Sequence, residues 1–253
     1  PFISDDGKVV VVQNGEIFNH VELAGELKGS RWESRTHCDT EVILRLYEKE
    51  GIAGLRRVNG MFAIAIYDAR EEALFLFRDR VGEKPLYYHL DDAGLVFGSE
   101  IKAILSLLPF KPSLDVNAMN LFFGLNYVPQ PFTLFNGVKH VKPGHYVRCD
   151  HSGAREHCWW DLSRIQSEQK TEAQWIEELN ELLDDSVRIR LRADVPFGAF
   201  LSGGVDSSTV VGLMSKHMDQ PVRTYSIGFD DPKYDESPYA QEAATRFKTC
   251  HKL

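Results

Sequence analysis

Two kinds of strand connection divide this chain, and they demand two different sheets. Residues 62–67 and 73–77 are apolar, β-prone runs separated only by Asp68-Ala69-Arg70-Glu71-Glu72. Residues 86–90 and 95–97 repeat the arrangement around Asp91-Asp92-Ala93-Gly94, and a third hairpin is expected to turn at Asp150-His151-Ser152-Gly153. Strands joined by so short a turn pair antiparallel, because a parallel pair needs a crossover of about a dozen residues or more. Past residue 165 the order changes. Residues 195–201 read as a strand, followed by a glycine-rich turn, a helix from Val205, a strand over 222–229 and a helix from about Glu236. Strands alternating with helices predict a parallel sheet, too short here to be a whole doubly wound domain.

Local signals fill in the rest. Lys8-Val9-Val10-Val11-Val12-Gln13 fits a buried strand that ends at Asn14-Gly15. Asn19 with Glu22 predicts a capped helix reaching Lys28, with Gly29 as its stop. Asp39 is expected at the N-cap of a second helix, with Ile43, Leu46 and Tyr47 on one face and Gly51 at its end. Residues 166–170 read as a polar linker; Thr171 and Gln174 then form a capping box for a helix carrying Ile176, Leu179, Leu183 and Val187 on one face.

Composition removes several classes of function. The net charge of −8, from 29 basic and 37 acidic residues, argues against a general nucleic-acid binder, which needs a basic face. The longest apolar run, residues 61–67, is far short of the roughly 18 residues of a membrane span. Four cysteines at 38, 149, 158 and 250 have no CxxC spacing and are too few for a disulfide scaffold, so a reducing, cytoplasmic setting is expected. Pro1 and Leu253 read as cuts through a longer protein.

Chemistry concentrates in two places. Ser202-Gly203-Gly204-Val205-Asp206-Ser207-Ser208 lies between the expected strand and helix. Glycines let a backbone approach an anion, a helix N-terminus offers unpaired N–H groups, and Asp206 is a hard oxygen ligand suited to Mg²⁺. No Walker or dinucleotide motif is present, and the pattern resembles the pyrophosphate loop of ATP pyrophosphatases. Toward the other end, Asn14-Gly15-Glu16 and Asp39 could supply an amide and a backbone N–H for an oxyanion and carboxylates for an ammonium group. His145, Cys149, His151, His157 and Cys158 lack the tight paired spacing of a zinc site, so no metal is expected there.

The two clusters combine with further motifs into one resemblance. Asn14-Gly15-Glu16-Ile17-Phe18-Asn19, Asp39-Thr40-Glu41, Asn59-Gly60-Met61-Phe62-Ala63, Arg78-Asp79-Arg80-Val81-Gly82-Glu83-Lys84-Pro85-Leu86-Tyr87-Tyr88 and the pyrophosphate loop stand in the order found in glutamine-hydrolysing asparagine synthetases. Phe97-Gly98-Ser99-Glu100-Ile101-Lys102-Ala103 and Val128-Pro129-Gln130-Pro131 extend the match over essentially the whole chain.

The resemblance implies a fold class: an α+β, αββα-layered glutaminase domain of the N-terminal-nucleophile type over 1–162, then an α/β parallel-sheet ATP pyrophosphatase-type domain over 171–253, both incomplete. It implies that Asn14 and Gly15 form the oxyanion hole, that Glu16 and Asp39 hold the glutamine α-amino group, and that Leu201 and Ile227 contact adenine through their backbones. It also implies that Ser202, Gly203, Gly204, Val205, Asp206 and Ser207 cradle pyrophosphate, with Asp206 on Mg²⁺. The segment from Arg78 to Tyr88 resembles the part near an ammonia passage and is assigned a bracing role.

ATP and Mg²⁺ follow as cofactors and glutamine, ATP and aspartate as substrates, with a homodimer left open. The family nucleophile is an N-terminal cysteine; Pro1 is not one and none of the four cysteines is terminal, so this chain by itself is expected not to hydrolyse glutamine. Two alternatives remain at this level: a relative with another acceptor, such as a β-lactam-forming or amidating enzyme, and a non-catalytic ATP- or glutamine-binding module.

Overall fold

Along the strand Gly60–Asp68, Phe62, Ile64 and Ile66 point one way and Ala63 and Ala65 the other, and all five are buried. A strand apolar on both faces must be covered on both faces, and that requirement organises the first unit. A computed structural model describes residues 1–253, which divide into the units Pro1–Gln166 and Ser167–Leu253.

The first unit runs β1 (Phe2–Ile3), β2 (Val9–Ile17), α1 (His20–Leu27), α2 (Asp39–Glu50), α3 (Ile52–Leu55), β3 (Gly60–Asp68), β4 (Ala73–Arg78), β5 (Tyr87–Asp91), β6 (Gly94–Gly98), α4 (Ile101–Leu107), α5 (Val116–Leu125), β7 (Val138–His140), β8 (His145–Asp150) and β9 (Gly153–Cys158). Six strands form an antiparallel sheet in the order β1-β2-β3-β4-β8-β9. The hairpin β5–β6 joins β7 in a separate antiparallel sheet, order β6-β5-β7. On one face of the large sheet, Phe62, Ile64, Ile66, Phe75 and Phe77 pack against Leu23 and Leu27 of α1 and Val42, Ile43 and Leu46 of α2. On the other, Ala63, Ala65, Leu76 and Val147 meet Leu86, Tyr88, Leu95 and Phe97 of the small-sheet region. Truncating Phe75 or Phe77, both almost fully buried, costs roughly 3–5 kcal/mol by the usual cavity relation.

Three local expectations are corrected. The second strand does not stop at Asn14-Gly15 but stays in register with β3 through Ile17↔Gly60. Gly15 makes this possible: its φ is +138°, and a Cβ there would sit 2.0 Å from the Met61 carbonyl oxygen. Asn19 does not cap α1 with its side chain; it bridges to another loop, accepting from Asn59 N and donating to Arg57 O. Asp39 is not the N-cap of α2 either. Cys38 holds that position, and Asp39, the first helical residue, turns its carboxylate toward β2.

The Arg78-Asp79 pair braces the loop after β4. Asp79, with no exposed surface, accepts from five backbone N–H groups: Val81, Gly82 and Glu83 on Oδ1, Phe62 and Lys84 on Oδ2. The Arg78 guanidinium donates to the carbonyls of Gly82, Lys84 and Val141 and to Gln130 Oε1. Burial lowers its affinity for a proton below the ordinary arginine value, yet charge-assisted bonds to four acceptors hold the ion in place.

The second unit contains α6 (Glu172–Arg190), β10 (Ala199–Phe200), α7 (Val205–His217), β11 (Arg223–Tyr225), α8 (Ser237–Phe247) and β12 (Cys250–Lys252). Thr171 and Gln174 make both bonds of the capping box at the start of α6. Of the four residues expected on its apolar face, Val187 is buried, whereas Ile176 and Leu179 are more than half exposed and Leu183 is 36% exposed. The three strands are parallel, in the order β10-β11-β12. They are shorter than the apolar runs that announced them: 195–201 yields only Ala199–Phe200, and 222–229 only Arg223–Tyr225. Pro196 in the first run has no N–H to give a ladder. Leu201, Val211, Ala240 and Ala244 form the core between the sheet and the helices α7 and α8.

Candidate functional site

The first cluster lies on the second half of β2. β1 pairs with β2 at Phe2↔Val11 and Ile3↔Val10, on the edge of β2 that faces away from β3. Ile17 N–H points out along that edge and donates to Asp39 Oδ2 at 2.9 Å. Backbone groups two residues apart leave a strand on the same side, so Gly15 turns its own N–H to the same edge.

The side chains reach this edge from opposite faces. Asn14 and Glu16 alternate onto the small-sheet face, where Asn14 Nδ2 donates to Ser99 Oγ at 2.9 Å, just beyond β6. Glu16 is exposed. Gln13 and Asp39 approach from the helix face: Gln13 Nε2 donates to Asp39 Oδ2 at 2.8 Å and to Gly15 O at 3.2 Å. With Oδ2 occupied twice, Asp39 Oδ1 is left with the distant Cys38 Sγ at 3.7 Å and Thr40 Oγ1 at 3.4 Å. The arrangement offers an amide donor, a backbone N–H and a carboxylate oxygen around one strand edge. No contact joins Asn14 to Asp39 directly.

Sequence reasoning singled out Asn14, Gly15, Glu16 and Asp39 but missed Gln13 and Ser99. The signal for Gln13 was available: it is a polar residue at a position whose neighbours by alternation, Val9, Val11 and Ile17, are all buried. Ser99 gave no such signal, since its partner lies 85 residues away.

The second cluster is the turn between β10 and α7. Leu201, buried, donates its N–H to Tyr225 O at 2.9 Å, and its carbonyl accepts from Ser226 Oγ. Gly203 takes φ +80°, and a Cβ would fall 2.4 Å from the Tyr239 carbonyl carbon, so only glycine fits this crossing under α8. Ser202 Oγ and Ser207 Oγ lie 3.1 Å apart, and Gly204 N donates to Ser202 Oγ at 3.3 Å. Gly204 caps α7 with no side-chain bond, so the first-turn N–H groups of the helix stay available at its positive end. Asp206 is exposed in that first turn, and Ile227, beyond β11, is 70% exposed.

The histidines and cysteines of β8 and β9 go elsewhere. His145 faces Cys158 across the ladder and bonds Pro143 O through Nδ1, while His157 stacks on Tyr146 with 4.8 Å between ring centroids.

The first unit thus gathers an amide donor, a backbone N–H and a carboxylate on one strand, and the second a glycine turn at the start of a helix. Residues 1–160 match the family model described as "Glutamine amidotransferase domain", and residues 178–253 match the one described as "Asparagine synthase". The chain belongs to the glutamine amidotransferase family, whose model covers more than half of it.

Among its relatives, a Methanocaldococcus jannaschii protein provisionally named asparagine synthetase [glutamine-hydrolyzing] 2 is 39% identical over 98% of this chain and 48% of its own length. Asparagine synthetase [glutamine-hydrolyzing] 3 of Bacillus subtilis is 32% identical over 95% of this chain and 42% of its own length. Amidase chry2 of Gibberella zeae is 30% identical over 96% of this chain and 38% of its own. The chain thus spans less than half the length of these relatives. Among solved structures, the B. subtilis glutamine phosphoribosylpyrophosphate amidotransferase aligns over all of this chain and 47% of its own, at 15% identity and a TM-score of 0.42.

Proposed function

We propose that this chain carries the glutaminase domain, 1–162, and the leading part of the ATP-dependent domain, 171–253, of a glutamine-hydrolysing asparagine synthetase. ATP adenylates the side-chain carboxylate of aspartate, ammonia released from glutamine attacks the acyl-adenylate, and asparagine, AMP and pyrophosphate leave. The observation that carries the reading is the far half of β2, with Gly15 N–H directed away from β3, Asn14 beside it and Asp39 anchored by Ile17 N–H.

In the glutaminase step, Asn14 Nδ2 and Gly15 N–H stabilise the oxygen that turns negative when the amide carbonyl is attacked; such donors act most strongly in the transition state. One Asn14 N–H is held by Ser99, which leaves the other for the oxyanion. Asp39 Oδ1 and Glu16 bind the glutamine α-ammonium through charge-assisted bonds. In the ATP-dependent step, Leu201 and Ile227 contact adenine through backbone groups, and Ser202, Gly203, Gly204, Val205, Asp206 and Ser207 cradle the pyrophosphate. Mg²⁺ suits this loop: one exposed carboxylate, Asp206, with phosphate oxygens and water completing the shell, is its usual donor set, and the ion would neutralise the leaving charge.

None of the helices is long and apolar enough to cross a membrane.

The test uses the full-length gene product with ATP, Mg²⁺, aspartate and amide-¹⁵N glutamine. Asparagine labelled in its side-chain amide, with one AMP and one pyrophosphate per molecule formed, is the expected result. Formation of ADP, or AMP without labelled asparagine, refutes it. A different acceptor is the second reading, favoured by the similarity to a protein named as an amidase; labelled amide on another carboxylate under the same conditions would establish it.

A further inference from the structure

Gln13 is a half-buried polar residue on the core-facing side of β2. It shares the inward face of β2 with Val9, Val11 and Ile17, all buried in the core under α2. The amide leaves its Oε1 atom buried with no hydrogen-bond partner, which a fold tolerates only where the rest of the group is needed. What the rest of the group does is bind Asp39. Nε2 donates to Asp39 Oδ2 at 2.8 Å and to Gly15 O at 3.2 Å. The opposite amide orientation would set a carbonyl against both a carboxylate and a carbonyl, so these contacts fix which end is the donor.

We propose that Gln13 is a positioning residue of the amino-group clamp: it and Ile17 N–H together saturate Asp39 Oδ2, so that Oδ1 alone is presented to the substrate α-ammonium. The inference rests on the reading of Asp39 as that clamp. It also explains why Asp39, although first in its helix, caps nothing: its outer oxygen is held by β2, 22 and 26 residues away in sequence, rather than by its own helix. A carboxylate tied at one oxygen loses little further freedom when the other binds an ammonium, so the gain appears as substrate affinity rather than as turnover.

Gln13→Glu in the full-length gene product is the test, because it keeps the shape while replacing the donor with a second carboxylate. KM for glutamine in amide hydrolysis should rise about tenfold or more at pH 8, with kcat within about threefold of the parent. As the pH falls toward 5.5 the ratio of the two KM values should shrink, since the introduced carboxyl, its proton affinity raised by Asp39, regains a hydrogen to donate to Oδ2. Gln13→Leu should raise KM similarly with no such pH dependence. A pH-independent loss in Gln13→Glu, a fall in kcat with unchanged KM, or no change at all overturns the proposal. Asp39→Asn separates it from the underlying reading. If Asp39→Asn leaves KM unchanged, the clamp itself is wrong; if Asp39→Asn raises KM and Gln13→Glu does not, only the role of Gln13 is.

Discussion

Removing the Asp79 carboxylate should cost the first unit a large part of its stability. Five backbone N–H groups converge on this one side chain, which has no exposed surface. Phe62 N is the least replaceable donor: it lies in the core beside Trp159, and with Asp79 absent it has no water to turn to. An orphaned buried N–H costs about 1–3 kcal/mol. The loop donors of Val81 and Glu83, residues that are themselves exposed, recover part of their loss by hydration, whereas those of Gly82 and Lys84 recover less.

Together these put Asp79→Ala at about 4 kcal/mol, within the range for breaking a buried charged network. Asp79→Asn should cost about half as much, because one oxygen still accepts while the new NH₂ group confronts two donors. A urea titration at pH 7, with Trp32, Trp160 and Trp175 replaced by Phe so that Trp159 alone reports, measures this. Trp159 suits the purpose: its Nε1 donates to Arg78 O at 3.2 Å, next to the lost carboxylate. With a slope of about 2 kcal/mol per molar, the midpoint should fall by about 2 M. A loss under 1 kcal/mol for Asp79→Ala, or a larger loss for Asp79→Asn than for Asp79→Ala, refutes the bracing role.

Other perturbations probe the rest of the unit. Gly15→Ala forces a Cβ to within 2.0 Å of Met61 O at φ +138°, so a melting-temperature drop of roughly 6–12 °C, corresponding to about 3 kcal/mol, is expected by calorimetry, and a drop under 2 °C contradicts the close approach. Burial works to raise the proton affinity of Glu41, but bonds from Thr36 Oγ1 and the Arg35 and Thr36 N–H groups, with Arg45 nearby, outweigh it and hold the carboxyl below its ordinary range. Its stabilising contribution is therefore present above the unfolded value of about 4.3 and lost as pH falls through the lower folded one. The stability gap between the parent and Glu41→Gln should narrow from pH 6 to pH 3, and a widening gap contradicts this. His140 is pushed down to about 4 by burial and then by Arg78. Between about 6.5 and that value the unfolded chain takes up a proton that the folded one refuses, so acid destabilises. NMR titration should find the imidazole neutral at pH 6; a midpoint above 6 refutes it.

Much of this architecture is written locally. The hairpins β3–β4, β5–β6 and β8–β9 announce themselves because turn residues and apolar runs sit next to each other in the chain. What local pattern does not carry is partnership. Nothing in 73–77 tells β4 to take β8 as its second neighbour, and nothing in 86–97 sends β5–β6 into a sheet of their own with β7. The same limit applies at the site. Asn14, Gly15 and Asp39 were legible as residue types in motifs, whereas the bond from Gln13 to Asp39 spans 26 residues and exists only because α2 packs on β2. Asp39 misled for the same reason: its local preference is to cap, and the tertiary contact with β2 overrides it.

The central claim is that Asn14 and Gly15 of β2 stabilise an oxyanion, and Asn14→Ala in the full-length gene product tests it most directly. Steady-state release of glutamate from glutamine should fall about 10²–10³-fold in kcat with KM changed less than about threefold, as for loss of one oxyanion donor. A kcat within about threefold of the parent would contradict the account.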